Sequence, residues 1–147
     1  MLPRWHIFFG LVFCAIFKIV SPDTEYLFLF LMWFASVFID FDHYLSAGIK
    51  HGAWNPKEAV QYNYDLRQKI VELKNEGGIC KKGDFHIFHT VESHIIIGII
   101  GLFFTPFFFI FIGMTFHSIL DLIWMVRHDV LDSREFFIIN KLRTFIL

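Results

Sequence analysis

Ten residues of this chain carry side chains that bind metal ions or move protons, and all ten lie in or at the edge of apolar stretches. They are His6, Asp40, Asp42, His43, His86, His89, Glu92, His94, His117 and Asp121. The densest group is Asp40-Phe41-Asp42-His43, which ends an almost wholly apolar run from Tyr26 to Ile39. Ionisable groups at membrane depth are costly, so they face a bundle interior or a cavity and mark a functional site. Histidine and carboxylate clusters without cysteine suit zinc, iron or manganese. Three or four such ligands make one site, and six to eight hold two metals that clamp the attacking and leaving oxygens of a phosphoester displacement. The plainer reading of the same residues is a buried hydrogen-bonded network or proton relay without metal.

These residues must be positioned by helices in a membrane. The chain has 147 residues, the size of one domain, and 56% are hydrophobic, with 21 phenylalanines. Long apolar stretches with charges gathered between them imply a multi-span membrane protein. The expected fold is all-α, an integral membrane four-helix bundle with spans near 2–20, 26–46, 85–104 and 106–127. A polar loop, 47–84, separates the second and third spans. Within it, Asn55-Pro56-Lys57-Glu58 reads as a cap, a proline in the first turn and an acidic start. Ala59, Val60, Leu66, Ile70, Val71 and Leu73 then predict an amphipathic helix over 55–76, ended by Gly77-Gly78, which is either a lid over the site or a solvated connector. Asp132 or Ser133 is expected to cap a last, interfacial helix carrying Phe136, Phe137, Ile139, Leu142, Lys141 and Arg143. The net charge of −1 disfavours a nucleic-acid partner. Cys14 and Cys80 fall in a span and a polar loop, which suggests neither a disulfide framework nor a cysteine metal knuckle. A signal-peptide reading of the N-terminus lacks the small-residue cleavage site.

Basic residues orient the spans. Seven of thirteen lie between Lys50 and Lys82, Arg4 precedes the first span, and Arg127, Arg134, Lys141 and Arg143 follow the last. The opposite turns at 21–25 and 105–106 contain none, so both termini and the long loop are expected in the cytoplasm. Only Lys18 dissents, and it can snorkel to the far interface. In an up-and-down arrangement all ten polar residues then fall in the cytoplasmic half. Asp40 and Asp121 would each lie roughly 21–22 Å along their spans, about 5–10 Å inside a ~30 Å core. Helical phase pairs His117 with Asp121, Asp40 with His43, and His86 with His89. In an unbroken helix Asp42 points about 160° away from Asp40, so it needs local unwinding or serves as partner to a histidine. His94 falls away from His89. His51 and His128 read as surface histidines, and the phenylalanine stripes as lipid-facing or packing residues.

The blocks His6-x3-Gly10, Asp40-Phe41-Asp42-His43, His86-x2-His89-Thr90 and His117-Ser118-x2-Asp121, one per span, resemble those of the YdjM-type inner-membrane metal-dependent hydrolases. By motif that family is grouped with zinc-dependent phospholipases C and single-strand nucleases. The third block departs from the family's His-Arg-Gly-x-Thr-His-Ser pattern: the arginine is missing and the histidines are closer together. The resemblance implies a zinc phosphoesterase-like site of one to three ions in the inner membrane, near the cytoplasmic face.

The expected function is therefore hydrolysis of a lipid or lipid-linked phosphoester by a metal-activated water. His6, Asp40, His43, His86, His89, His117 and Asp121 are the expected ligands. Glu92 is expected as ligand or general base, with Asp42 in a catalytic or supporting role. The expected metal is zinc, with iron or manganese as alternatives. The rival readings are a membrane di-iron oxygenase, whose repeated His-x3-His and His-x2-His-His signature is absent, and a metal or proton transporter, which would need a polar path through the outer half. The substrate and the oligomeric state are not encoded in any motif.

Overall fold

The computed structural model describes residues 3–79 and 82–146, and only the backbone over 144–146. The expected span start at Leu2 and the expected loop cysteine Cys80 lie outside the described residues. Seven α-helices follow in order: α1 Pro3–Val20, α2 Tyr26–Phe38, α3 Phe41–His51, α4 Pro56–Asn75, α5 Val91–Gly101, α6 Thr105–Arg127 and α7 Ile138–Ile146. There is no strand among the described residues. Three helical stretches are long and apolar enough to cross a membrane: Pro3–Val20, Tyr26–His51 and Thr105–Arg127.

The fourth expected span differs. Helix α5 has 11 residues, about 16 Å, and starts at Val91 rather than near Phe85. The segment before it is extended at His86 and makes a single 3-10 turn over Ile87–His89. Within it Phe88 N–H donates to Asp42 Oδ2 (3.0 Å), while His89 and Thr90 N–H donate locally to His86 O and Ile87 O; Val91 N–H, the first of α5, donates to Phe136 O (3.0 Å). His86 and His89 are therefore not on one helix face, as their spacing predicts. The second span also departs from expectation, because its helix is interrupted at Ile39 and Asp40. Both residues keep right-handed backbone angles there, and Asp42, in the first turn of α3, is partner to a histidine, His89. At the C-terminus, Phe136 and Phe137 precede α7 instead of joining it, since the Phe136 carbonyl is spent on Val91.

The chain forms two compact units. The first comprises Met1–Ile39 and Glu92–Asp121. Lys18 Nζ, at the end of α1, donates to Pro22 O (2.6 Å) and Thr24 O (2.8 Å), so this dissenting cation closes the turn into α2. Trp33 Nε1 donates to Ile7 O, and Cys14 Sγ to Leu29 O (each 3.4 Å), which sets α1 and α2 antiparallel. Leu29, Met32 and Phe109 form one buried cluster, and Ala35, Ile39 and Met114 another. Gly113 lets α6 approach the Met32 carbonyl of α2 so closely that a Cβ would lie 2.1 Å from that oxygen. One turn on, His117 meets the Ser36 carbonyl. Both contacts advance by four residues in the same direction, so α2 and this part of α6 run parallel. Small residues permit such approaches where lipid supplies no hydrophobic drive between helices. Phe8, Phe9, Phe30, Phe34 and Phe38 remain exposed.

The second unit comprises Asp40–Val91 and Leu122–Leu147. Helix α4 starts as its sequence predicts: Asn55 Oδ1 accepts Lys57 N–H (2.9 Å), with Pro56 in the first turn. Of its expected apolar positions Ala59 is buried, Leu66, Ile70 and Val71 are half-buried, and Val60 and Leu73 are exposed. Polar contacts hold it along its length. Asn63 Nδ2 donates to His43 O (3.4 Å), Arg67 stacks 4.8 Å from the Trp124 ring centre, and Lys74 Nζ reaches Asp132 (3.0 Å) and Asp129 (3.6 Å). It is no loose connector.

Candidate metal-binding residues

In the first unit, α1 supplies His6 and α6 supplies His117 and Asp121, all buried. Their spacing of four residues puts His117 and Asp121 on one face of α6. His6 Nε2 lies 3.3 Å from Asp121 Oδ1 and His117 Nε2 lies 3.7 Å from Asp121 Oδ2. The two imidazoles stack with centres 3.8 Å apart. His117 Nδ1 stands 2.7 Å from Ser36 O. A carbonyl only accepts, so Nδ1 carries a proton, and Nε2 faces Asp121. That is how an outer-shell carbonyl fixes the tautomer of a metal-ligating histidine. The same unit contains Glu92, half-buried in the first turn of α5, and His94, whose Nε2 pairs with Ser118 Oγ (3.0 Å).

In the second unit, α3 carries Asp42 and His43 directly after Asp40, and the irregular segment before α5 carries His86 and His89. Asp42 is buried and works with both oxygens. Oδ2 accepts Phe88 N–H and faces His89 Nδ1 (3.2 Å), while Oδ1 lies 3.6 Å from His86 Nδ1. Asp40 Oδ1 is 3.6 Å from both His43 Nε2 and His89 Nε2. The His43 and His86 rings approach to 3.6 Å between centres. One ligand atom from each of Asp42, His43 and His86 lies within 4.8 Å of the other two, close enough to hold one metal ion.

Asp42 Oδ1, His43 Nε2 and His86 Nδ1 are buried and make no hydrogen bond among the described residues. An unsatisfied buried polar atom costs about 1–3 kcal/mol. Three in one place call for a shared partner, and the donor set of two imidazoles and a carboxylate fits a divalent cation. His86 lies in the extended segment ahead of α5.

The expected site residues divide between the two units: His6, Glu92, His117 and Asp121 lie in the first, and Asp40, Asp42, His43, His86 and His89 in the second. Asp42, expected as a supporting carboxylate, stands among the residues able to hold a metal, and it also orients His89. His51 and His128 are exposed, as expected; His51 Nε2 pairs with the Tyr62 hydroxyl (2.6 Å) and His128 Nδ1 with Trp124 O (2.8 Å). The Ser36 carbonyl and the Phe88 amide escape sequence reasoning, since backbone groups leave no trace in residue type. Comparison with models of known protein families, with curated proteins and with solved structures finds no match to this chain.

Proposed function

We propose that this protein is a membrane-embedded, metal-dependent hydrolase that cleaves a phosphoester of a lipid or lipid-linked group, with zinc as its metal. The observation that carries this reading is the convergence of three buried atoms, from Asp42, His43 and His86, that make no hydrogen bond among the described residues. Asp42, His43 and His86 would hold one ion, with Asp40 and His89 beside them. His6, His117 and Asp121 make up the remaining ligands in this reading. A divalent cation held there supplies a Lewis acid and a hydrolytic nucleophile at neutral pH.

The chain's own residues do the rest. Asp42 Oδ2 accepts the hydrogen bond from His89 Nδ1–H and so leaves the other ring nitrogen to face Asp40. The Ser36 carbonyl does the same for His117. Glu92 is a ligand or the general base in this reading. In this reading the spans form a four-helix membrane bundle with both termini in the cytoplasm. Non-helical backbone such as 84–90 is tolerated at membrane depth only where protein buries it or it lines a cavity, which suits a site reached by water and a headgroup. His86, His89 and Thr90 are all buried.

Elemental analysis of the purified protein tests this, with Asp42→Ala and His43→Ala beside the wild type and headgroup phosphate release measured on lipid micelles. Stoichiometric zinc and phosphate release in the wild type, both lost in the variants, are expected. Metal-free wild-type protein with its histidines intact refutes the reading, and iron in place of zinc redirects it to an oxygenase.

A further inference from the structure

We propose that α7 is an interfacial anchor that lies on an anionic lipid leaflet and ties the segment bearing His86 and His89 to the headgroup layer. The surface lies outside the metal-binding residues, and the proposal stands whether or not the protein is a hydrolase.

Within α7 the ~100° helical step places Ile138, Ile139 and Leu142 inside about 100° of arc. Lys141 and Arg143 fall on the two flanks of that arc, and Asn140 opposite it. Ile139 is 57% exposed and Leu142 54%, so the apolar side faces outward; Phe137, just ahead of the helix, is exposed as well. Asn140 is bonded back to the chain, its Nδ2 donating to Glu135 Oε1 (3.0 Å). Glu135 in turn pairs with Lys82, Gly83 N–H donates to Ser133 O (2.8 Å), and Val91 N–H donates to Phe136 O (3.0 Å). These contacts, all within the second unit, hold residues 133–136 along the segment that carries His86 and His89. The outward apolar side of α7 is thus set by the fold.

A lipid surface is the occupant that fits it. The α6 stretch, long and apolar enough to cross a membrane, ends at Arg127, and only residues 128–137 separate it from α7. An apolar arc flanked by cations suits the headgroup boundary: Ile139 and Leu142 enter the edge of the acyl layer while the basic side chains reach back to phosphates. Arg143 is exposed, and its planar guanidinium matches phosphate oxygens with paired donors. One side of a nine-residue helix is a small surface. It falls well short of the roughly 800 Å² per partner that a stable protein interface buries.

The test is nitroxide labelling of the full-length protein at Leu142→Cys and, separately, Asn140→Cys, each with Cys14→Ser and Cys80→Ser. The protein is reconstituted in vesicles of phosphatidylcholine alone, or of phosphatidylcholine and phosphatidylglycerol in equal parts. Collisions with oxygen and with a nickel chelate report whether each label sits among acyl chains or in water. In the mixed vesicles the label at 142 is expected to meet oxygen and be shielded from nickel, and the label at 140 the reverse. Arg143→Gln is expected to shift the docked-to-undocked ratio of α7 about fivefold toward water in mixed vesicles and to leave it unchanged in phosphatidylcholine. A label at 142 as open to nickel as the label at 140 in both vesicles overturns the proposal. So does one shielded from both reagents, which means that protein covers this side of the helix. Equal docking in both vesicles, insensitive to Arg143→Gln, overturns the recognition of anionic lipid. If the Leu142→Cys protein fails to reconstitute, Ile139→Cys, on the same arc, decides by the same criteria.

Discussion

Replacing Gly113 by alanine tests the link between helix packing and the histidine face of α6. The new Cβ would lie 2.1 Å from Met32 O, 2.9 Å from Met32 C and 3.1 Å from Ala35 Cβ. Two of these are backbone atoms, which cannot swing aside as a side chain would, so α2 and α6 must part by about an ångström to restore ordinary contact. Overpacking of this kind costs about 1–3 kcal/mol. The separation also stretches the 2.7 Å bond from His117 Nδ1 to Ser36 O, one turn further along both helices. Leaving that buried donor unsatisfied costs about 1–3 kcal/mol more. Against these stands the helix propensity that alanine gains over glycine, about 1 kcal/mol. The balance is a net loss of about 1–5 kcal/mol. Unfolding by sodium dodecyl sulfate in mixed micelles, followed by tryptophan fluorescence, measures it. Nitrogen NMR of the histidines reports whether His117 keeps its Nδ1–H tautomer. Gly98→Ala is the control, because its Cβ meets only the Phe111 ring edge at 3.3 Å, which can turn away. A Gly113→Ala protein as stable as wild type, with His117 unchanged, would refute the close α2–α6 packing and the coupling drawn from it.

Three further outcomes are expected. Asn55→Ala removes the cap from Lys57 N–H and should cost about 1 kcal/mol, visible as faster amide exchange in the first turn of α4 with α3 unaffected. Lys74→Ala removes the ion pairs to Asp132 and Asp129; because these are surface pairs, the loss should stay below about 1 kcal/mol and appear as proteolysis near the end of α4. The Lys82 ammonium beside Glu135 holds that carboxyl below the usual glutamate range. Since the folded pKa is the lower one, stability from this pair is fully present above the ordinary glutamate pKa and is lost as pH falls through the folded value. Exchange of the Gly83 amide, bonded to Ser133 O, should therefore show extra opening in acid beyond its intrinsic pH dependence, and Glu135→Gln should abolish that acid sensitivity.

Much of the architecture follows from local pattern. Apolar runs of spanning length marked α1, α2 with α3, and α6, because the cost of exposing apolar side chains depends on composition along a single helix. The cap and first-turn proline at Asn55 and Pro56 marked α4 for the same reason: a helix start is a local hydrogen-bonding problem. The residue types able to bind metal, and the shared face of His117 and Asp121, were also legible, since both depend only on chemistry and a fixed helical step.

What tertiary structure decided is where the backbone leaves the helix. Residues 85–90 read as the start of a span, yet the Phe88 amide serves the Asp42 carboxylate and the amide of Val91, which follows them, serves the Phe136 carbonyl, partners 46 and 45 residues away. No period in the sequence encodes that exchange of hydrogen bonds. It moves His86 and His89 off a helix face and, with the interruption at Ile39 and Asp40, turns Asp42 from an outward carboxylate into the hinge of the second histidine group. Apolar periodicity is a property of neighbours in sequence, so it located the helices. The distances that make ligands out of these histidines depend on backbone groups meeting across the chain, and only the fold brings those together.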